Sequence, residues 1–195
     1  MSHPIATLPV MVTLCLSCRR LGSDVVCRKC ADDLRRGPDR LLANNLIAQA
    51  AFLHTGAART LVHNFKYRGI TQAGRFLAEA MAPQVPAGCS LVPLPRVDWR
   101  HIRYGVDPAP ELARHLAFLT GAPQLNLLSA PVLSRDQARR SRTDRQPPMF
   151  RVRSLAPGPL VLIDDVVTTG GTLESVHRLL GPAVIMALTA TASPG

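Results

Sequence analysis

Long apolar runs, aromatic side chains and acidic side chains are all scarce in this sequence. No apolar stretch reaches the roughly 18 residues of a membrane-spanning helix, so we expect no membrane span. Aromatic residues make up only 4% of the chain, which gives little support to a surface that stacks single-stranded nucleic acid. Asp and Glu number 13 against 23 Lys and Arg, a net charge of +10. This charge favours phosphorylated small molecules or polyanions as partners, and a solvated basic surface explains it equally well.

The first residues lack the features of a signal peptide. Residues 5–16, IATLPVMVTLCL, are apolar, but no Lys or Arg precedes them and no small-residue cleavage site follows. We therefore expect a cytoplasmic location, where thiols stay reduced. A chain of 195 residues predicts one main domain with an appendage.

The cysteines indicate what the appendage is. Two Cys-x-x-Cys pairs lie eight residues apart, which is typical of one zinc ion held by four thiolates. A disulfide pair and a redox-active pair are the alternatives. The predicted zinc ligands are Cys15, Cys18, Cys27 and Cys30. Cys89 stands alone, and we expect a small buried side chain there.

Strand and helix patterns alternate after this region. Strands are predicted at 46–54, 90–95, 160–163 and 183–190, and helices at 57–65, 72–82, 110–119 and from 172 to Gly181. This order predicts an α/β fold with a doubly wound parallel sheet, whose ligands bind at the carboxyl ends of the strands. A Gly37-Pro38 step predicts the boundary between a zinc-knuckle module (1–40) and the main domain (41–195).

The strand at 160–163 leads into two carboxylates, Asp164 and Asp165, and then into a turn of threonine and glycine. A phosphate at the following helix start would meet free backbone N–H groups and the positive end of the helix dipole. The carboxylates could accept hydrogen bonds from vicinal hydroxyls. The turn lacks the Gly-Lys-Ser/Thr ending of a Walker A loop and the G-x-G-x-x-G of dinucleotide folds. A ribose 5-phosphate satisfies both parts of the pattern.

Residues 161–173, VLIDDVVTTGGTL, resemble the phosphoribosyl pyrophosphate (PRPP) signature of type I phosphoribosyltransferases. The chain as a whole is similar to the ComF-type subfamily, in which a zinc knuckle precedes the transferase domain. CLSCRRLGSDVVCRKCADDL (15–34), FKYRG (65–69) and LVPLPR (91–96) carry that similarity. The chain departs from the subfamily at YGVDPA (104–109) and QPPMF (146–150), beside the pyrophosphate and acceptor sides that the resemblance implies.

The resemblance implies a PRPP site with Mg²⁺ between the ribose hydroxyls and pyrophosphate. Asp164 and Asp165 would be catalytic and would hold the sugar hydroxyls. The implied PRPP-binding set is Asp164, Asp165, Val166, Thr168, Thr169, Gly170, Gly171, Thr172, Arg96 and Lys66. Arg96 is either a pyrophosphate ligand or part of a basic loop, and Lys66 either binds pyrophosphate or complements its helix C-terminus.

These patterns predict a PRPP-binding, phosphoribosyltransferase-like enzyme that releases pyrophosphate, with its acceptor unidentified. The alternative is a nonenzymatic ComF-like accessory protein that binds PRPP or DNA, single-stranded DNA included, in DNA uptake. The arginine-rich segment 134–150 either closes over PRPP or holds a nucleic-acid backbone. The sequence leaves the oligomeric state open.

Overall fold

The computed structural model describes residues 12–95, 106–129, 150–154, 156 and 158–194. Their strands, in chain order, are β1 (Thr13–Leu14), β2 (Leu21–Gly22), β3 (Arg40–Leu41), β4 (Ile47–Leu53), β5 (Ser90–Pro93), β6 (Leu128–Ser129), β7 (Arg151–Val152), β8 (Leu160–Val167) and β9 (Val184–Ala192). Their α-helices are α1 (Arg28–Asp32), α2 (Gly56–Arg68), α3 (Thr71–Met81), α4 (Pro108–Thr120) and α5 (Gly171–Leu180). Short 3₁₀ turns lie at Ala43–Asn45, Ala82–Gln84 and Gly181–Ala183.

The main sheet has five strands in the spatial order β3-β4-β9-β8-β5. Strands β4, β9, β8 and β5 run parallel, and the short edge strand β3 runs antiparallel to β4. The chain is therefore a mixed α/β protein with a mostly parallel sheet, as the sequence predicted. Strand β8 has a neighbouring strand on each side. Its carboxyl end therefore lies between the ends of its two neighbours, not at the margin of the sheet.

Both faces of the sheet are buried. On β8, Val161 and Ile163 pack into the cluster that holds the apolar side chains of α2, α3 and α4, whereas Leu160 and Leu162 pack into the cluster that holds those of α5. A strand covered on both faces needs apolar residues at successive positions, which explains why the sequence shows an unalternated run there.

The helix ends follow from local signals in the sequence. Helix α2 ends at Gly69, whose φ of +64° lies in the left-handed region that glycine adopts without strain. The predicted helices at 57–65, 72–82 and 110–119 correspond to α2, α3 and α4. No helix within the described ranges is long and apolar enough to cross a membrane.

Residues 12–34, called the cysteine module below, contain β1, β2 and α1. Cys15 and Cys30 lie in the same apolar cluster as Phe65 of α2. Residues 35–37 then pair with β4 through backbone hydrogen bonds. The module is thus continuous with the main sheet, and the division of the chain into 1–40 and 41–195 stays a prediction.

Candidate functional site

The two acidic residues lie inside strand β8 rather than after it. The strand continues to Val167, four residues beyond its predicted end, and Asp164 pairs in register with Thr189 of β9. The two carboxylates therefore leave the strand itself, near its carboxyl end.

Asp165 lies on the α2 face and is 7% exposed. Its carboxylate forms an ion pair with the ammonium of Lys66, in the last turn of α2. This contact brings together two residues that the sequence predicted for one site. An ion pair with little solvent around it is screened less than a surface pair, so each partner fixes the position of the other.

A histidine and a threonine extend this network. The Thr191 hydroxyl donates to the backbone carbonyl of Asp165 at 3.3 Å, and Nδ1 of His54 lies 2.8 Å from that hydroxyl oxygen. The Thr191 hydroxyl thus links the His54 ring to the backbone of β8. Burial lowers the pKa of His54, and the charges of Lys66 and Arg59 lower it further, which favours the neutral ring.

Asp164 is partly exposed. Its Oδ1 accepts a hydrogen bond from the backbone N–H of Asp165 at 2.8 Å. This bond orients the carboxylate relative to the strand. Asp164 is thus the more solvent-accessible acid of the pair.

The turn between β8 and α5 has two glycines with different roles. Gly170 has φ +87°, and a Cβ there would lie 2.4 Å from Cδ2 of Leu42. The fold itself therefore requires glycine at 170. A Cβ on Gly171, the first residue of α5, would meet only Oγ1 of Thr169, at 3.9 Å. Space is therefore open beside Gly171, next to the exposed Thr168 and Thr169.

Residues in and just after β3 form hydrogen bonds to the turn between β8 and α5 and to α5 itself, which the sequence did not predict. Arg40 donates through Nη1 to the carbonyl oxygen of Thr168 at 2.6 Å and through Nη2 to the carbonyl oxygen of Ser193. The backbone N–H of Ala43 donates to Oε1 of Glu174 in α5 at 2.9 Å. No local pattern could have revealed these contacts, because their partners lie more than 100 positions apart.

The remaining residues predicted for the site are Val166, Thr172 and Arg96. Val166 lies in β8 and packs against the apolar cluster on the α2 face. Thr172 is in the first turn of α5 and is partly exposed. Arg96 and residues 134–149 of the arginine-rich segment lie outside the described residues.

The four paired cysteines form one cluster. Their Sγ atoms all lie within 4.8 Å of one another, and the Sγ atoms of Cys18 and Cys27 are 3.7 Å apart. Tetrahedral zinc with Zn–S bonds of about 2.3 Å places its sulfurs about 3.8 Å apart. The cluster could therefore hold a metal ion and is compatible with structural zinc. All four thiols are free in this structure.

Hydrogen bonds and burial act in opposite directions on two of the clustered thiols. The N–H of Cys27 donates to Sγ of Cys15 at 3.3 Å. Burial raises the pKa of Cys15, but hydrogen bonds from the backbone N–H groups of Cys27, Cys18 and Ser17 outweigh it and bring this pKa to about 6. Burial raises the pKa of Cys30 to about 12. Cys89 is 2% exposed within an apolar cluster, as predicted.

Asn64 connects the cysteine module to α2. It is 2% exposed, and its Nδ2 donates to the carbonyl oxygens of Leu16 at 2.8 Å and Ser17 at 3.0 Å. The Ser17 hydroxyl in turn donates to the carbonyl oxygen of Ala57, at the other end of α2, at 3.3 Å. The module thus contacts the helix that carries Lys66 at two points.

We expect Asn64→Ala to lower the melting temperature by several degrees. The change leaves the Leu16 and Ser17 carbonyls without this donor, at about 1–3 kcal/mol per buried group, and each kcal/mol corresponds to about 2–4 °C in a chain of this size. Thermal unfolding measures the shift. Asn126→Ala, at an exposed asparagine, is the control and should change little. Equal melting temperatures for the two variants would contradict the role of Asn64.

Neither a scan against protein-family models nor a search of the curated proteins finds a match for this sequence.

Proposed function

We propose that this chain is a PRPP-binding, phosphoribosyltransferase-like protein with the type I phosphoribosyltransferase fold and a ComF-type zinc module. One observation carries the proposal. An acidic pair near the end of an interior parallel strand is followed, after two valines, by a Thr/Gly turn that opens α5. The carboxylates and the open position beside Gly171 therefore lie at the same edge of the sheet, where ligands of open α/β sheets bind.

Each half of this arrangement suits one part of PRPP. The partly exposed carboxylate of Asp164 can accept hydrogen bonds from the ribose hydroxyls. The open space beside Gly171, with the first N–H groups of α5, can receive the 5-phosphate. Lys66 supplies a cation at the same edge for pyrophosphate, while Asp165 fixes where that ammonium lies.

In this proposal a nucleophilic atom of the unidentified acceptor forms a bond to the anomeric carbon of the ribose, while the bond from that carbon to pyrophosphate breaks and pyrophosphate leaves with its electron pair. Carboxylate oxygens such as those of Asp164 are the ligand type that Mg²⁺ prefers. Bound Mg²⁺ would neutralise charge on the leaving pyrophosphate. Asp164 would orient the sugar, and the turn would hold the 5-phosphate away from the breaking bond.

Zinc would have a structural role. The four cysteines supply a complete tetrahedral set of thiolates, and a closed site leaves no position for a substrate or an activated water. The module's hydrogen bonds through Asn64 support the same interpretation, since they join the metal cluster to a helix of the main domain. Zinc would then stabilise the position of α2.

Calorimetry with PRPP and Mg²⁺ tests binding, and release of pyrophosphate across a panel of bases, amines and ammonia tests catalysis. We expect PRPP to bind and ribose 5-phosphate to compete with it, because both carry the same hydroxyls and phosphate. Turnover with any acceptor would support the enzyme. Tight PRPP binding without turnover would instead support an accessory protein, and absence of PRPP binding would contradict both.

DNA binding is the other part of the accessory hypothesis. The net charge of +10 is the observation behind it. Fluorescence anisotropy with a labelled single-stranded oligonucleotide at several salt concentrations tests it, because phosphate contacts make affinity fall steeply with salt. A flat or undetectable response would leave PRPP as the proposed anionic partner.

A further inference from the structure

The guanidinium of Arg40 joins the ends of the two strands that flank the candidate site. Arg40 lies on the edge strand β3, yet it donates to the carbonyl oxygens of Thr168, just after β8, and Ser193, just after β9. The N–H of Ser193 also donates to the carbonyl oxygen of Val167 at 2.9 Å. One side chain thus fixes the exits of two adjacent strands.

Two further contacts come from the residues after Arg40. The side chain of Leu42 fills the space in which Gly170 would carry a Cβ. The N–H of Ala43 donates to the Glu174 carboxylate in the first turn of α5. Residues 40–43 therefore contact Thr168 before the left-handed Gly170, Gly170 itself, and Glu174 after it.

The hydrogen bond from Arg40 to the carbonyl of Thr168 fixes the direction of the next backbone N–H group. The carbonyl of Thr168 and the N–H of Thr169 belong to the same peptide unit, which is planar and trans, so they point in opposite directions. With the carbonyl held toward Arg40, the N–H of Thr169 points away from Arg40. The orientation of this N–H is fixed before any ligand arrives, and ordering a free turn on binding would cost about 1–2 kcal/mol per residue.

We propose that Arg40 is a positioning residue for the 5-phosphate: it holds the turn at 168–171 in the conformation that presents backbone N–H groups to the ligand. This inference rests on the proposed function. In this inference Arg40 acts through the turn, by its hydrogen bonds to the carbonyls of Thr168 and Ser193. The planar fork is essential, because lysine cannot hold two separated carbonyls in a fixed geometry.

The test is calorimetric titration of the full chain with PRPP and with ribose 5-phosphate. We expect Arg40→Gln to weaken both ligands by the same factor, roughly ten- to a hundredfold, because the ribose 5-phosphate part is common to them. Arg40→Lys should lose about as much, although it keeps the positive charge. Arg36→Gln, at an exposed arginine beside β4, is the control and should bind as the parent does.

Hydrogen exchange of the Thr169 to Gly171 amides provides a readout that needs no ligand. We expect faster exchange there in both Arg40 variants and parental exchange in the interior of β8. Glu174→Ala removes the neighbouring contact from Ala43 to α5 and should give a smaller change of the same kind, while Arg40→Lys keeps the inference testable if Arg40→Gln folds poorly.

The outcomes separate this inference from the proposed function. If the parent binds neither PRPP nor ribose 5-phosphate, the proposed function fails. If the parent binds and Arg40→Lys binds equally well, charge alone acts and the positioning role is wrong. A loss confined to PRPP, with ribose 5-phosphate affinity unchanged, would also overturn it, since Arg40 would then act on the pyrophosphate.

Discussion

Cys30→Ser is expected to abolish zinc binding and to lower the stability of the chain severely. Four-thiolate zinc sites in small peptides carry about 10–16 kcal/mol of apparent binding free energy, which is also folding free energy. Cys15 and Cys30 belong to the apolar cluster that contains Phe65, so a module without its metal would uncover part of α2. Elemental analysis should find about one zinc per parent chain, and thermal unfolding with and without a chelator measures the stability.

Cys89→Ser is the matched control for this prediction. Cys89 is also buried and lies in the same apolar cluster, but it is not one of the four clustered thiols. We expect this variant to keep its zinc and to lose only about 1–3 kcal/mol, the cost of burying a hydroxyl. Chelation of the parent should also weaken PRPP binding, because α2 carries Lys66. If Cys30→Ser retained its zinc and had the same melting temperature as Cys89→Ser, the four-cysteine site would be wrong.

Helices whose apolar residues recur at helical spacing could be predicted from the sequence. Leu61, Val62 and Phe65 recur at helical spacing, and all three are buried on α2. In α5 the sequence predicted that Leu173, Val176, Leu179 and Leu180 all face inward. Three of them are buried, but Leu179 is 45% exposed.

Strand β8 is longer than its local sequence predicts. Aspartate is uncommon in strands, so the sequence predicted that the strand stops at Ile163. Pairing with β9 continues nevertheless through Val167, and the ion pair with Lys66 compensates burial of Asp165. Both partners come from other parts of the chain. The residues of the candidate site were thus inferred from local sequence, whereas the extension of β8 through both acids required the sheet.

Contacts made by Arg40 show the same limit more strongly. Nothing in the local sequence Arg40-Leu41-Leu42 marks an arginine that binds carbonyls of residues 168 and 193. The contact exists because β3 turns back along β4 at the sheet edge. Such tertiary contacts between loops leave no periodic signal, and the physical reason for the arginine becomes visible only in the folded chain.

Gly171→Ala is expected to remove most PRPP binding while leaving the fold intact. An added Cβ meets only Oγ1 of Thr169 at 3.9 Å, and alanine favours a helix by about 0.5–1 kcal/mol over glycine. The methyl group would occupy the space that the proposal assigns to the 5-phosphate. Calorimetry should show ribose 5-phosphate and PRPP weakened together by at least about tenfold, with an unchanged or raised melting temperature.

Replacing the acids tests the other half of the site. Asp164→Asn should weaken PRPP binding by roughly ten- to a hundredfold, because hydrogen bonds to charged groups contribute about 1.5–3 kcal/mol each. Asp165→Asn should in addition destabilise the fold, since it leaves the Lys66 ammonium without its carboxylate in a site of low exposure. Asp32→Asn, at an exposed acid of α1, makes the same charge change and should alter neither quantity.

A second substitution separates binding from folding at Asp165. Asp165→Asn combined with Lys66→Met removes both charges, and replacing a buried ion pair by uncharged groups is often neutral for stability. The double variant should therefore melt closer to the parent than Asp165→Asn does, yet PRPP affinity should stay low because the Lys66 cation proposed for pyrophosphate is gone. If the folded double variant and a folded Asp164→Asn both bound PRPP as tightly as the parent, neither acid would belong to the site, and the proposed function would lose the observation on which it depends.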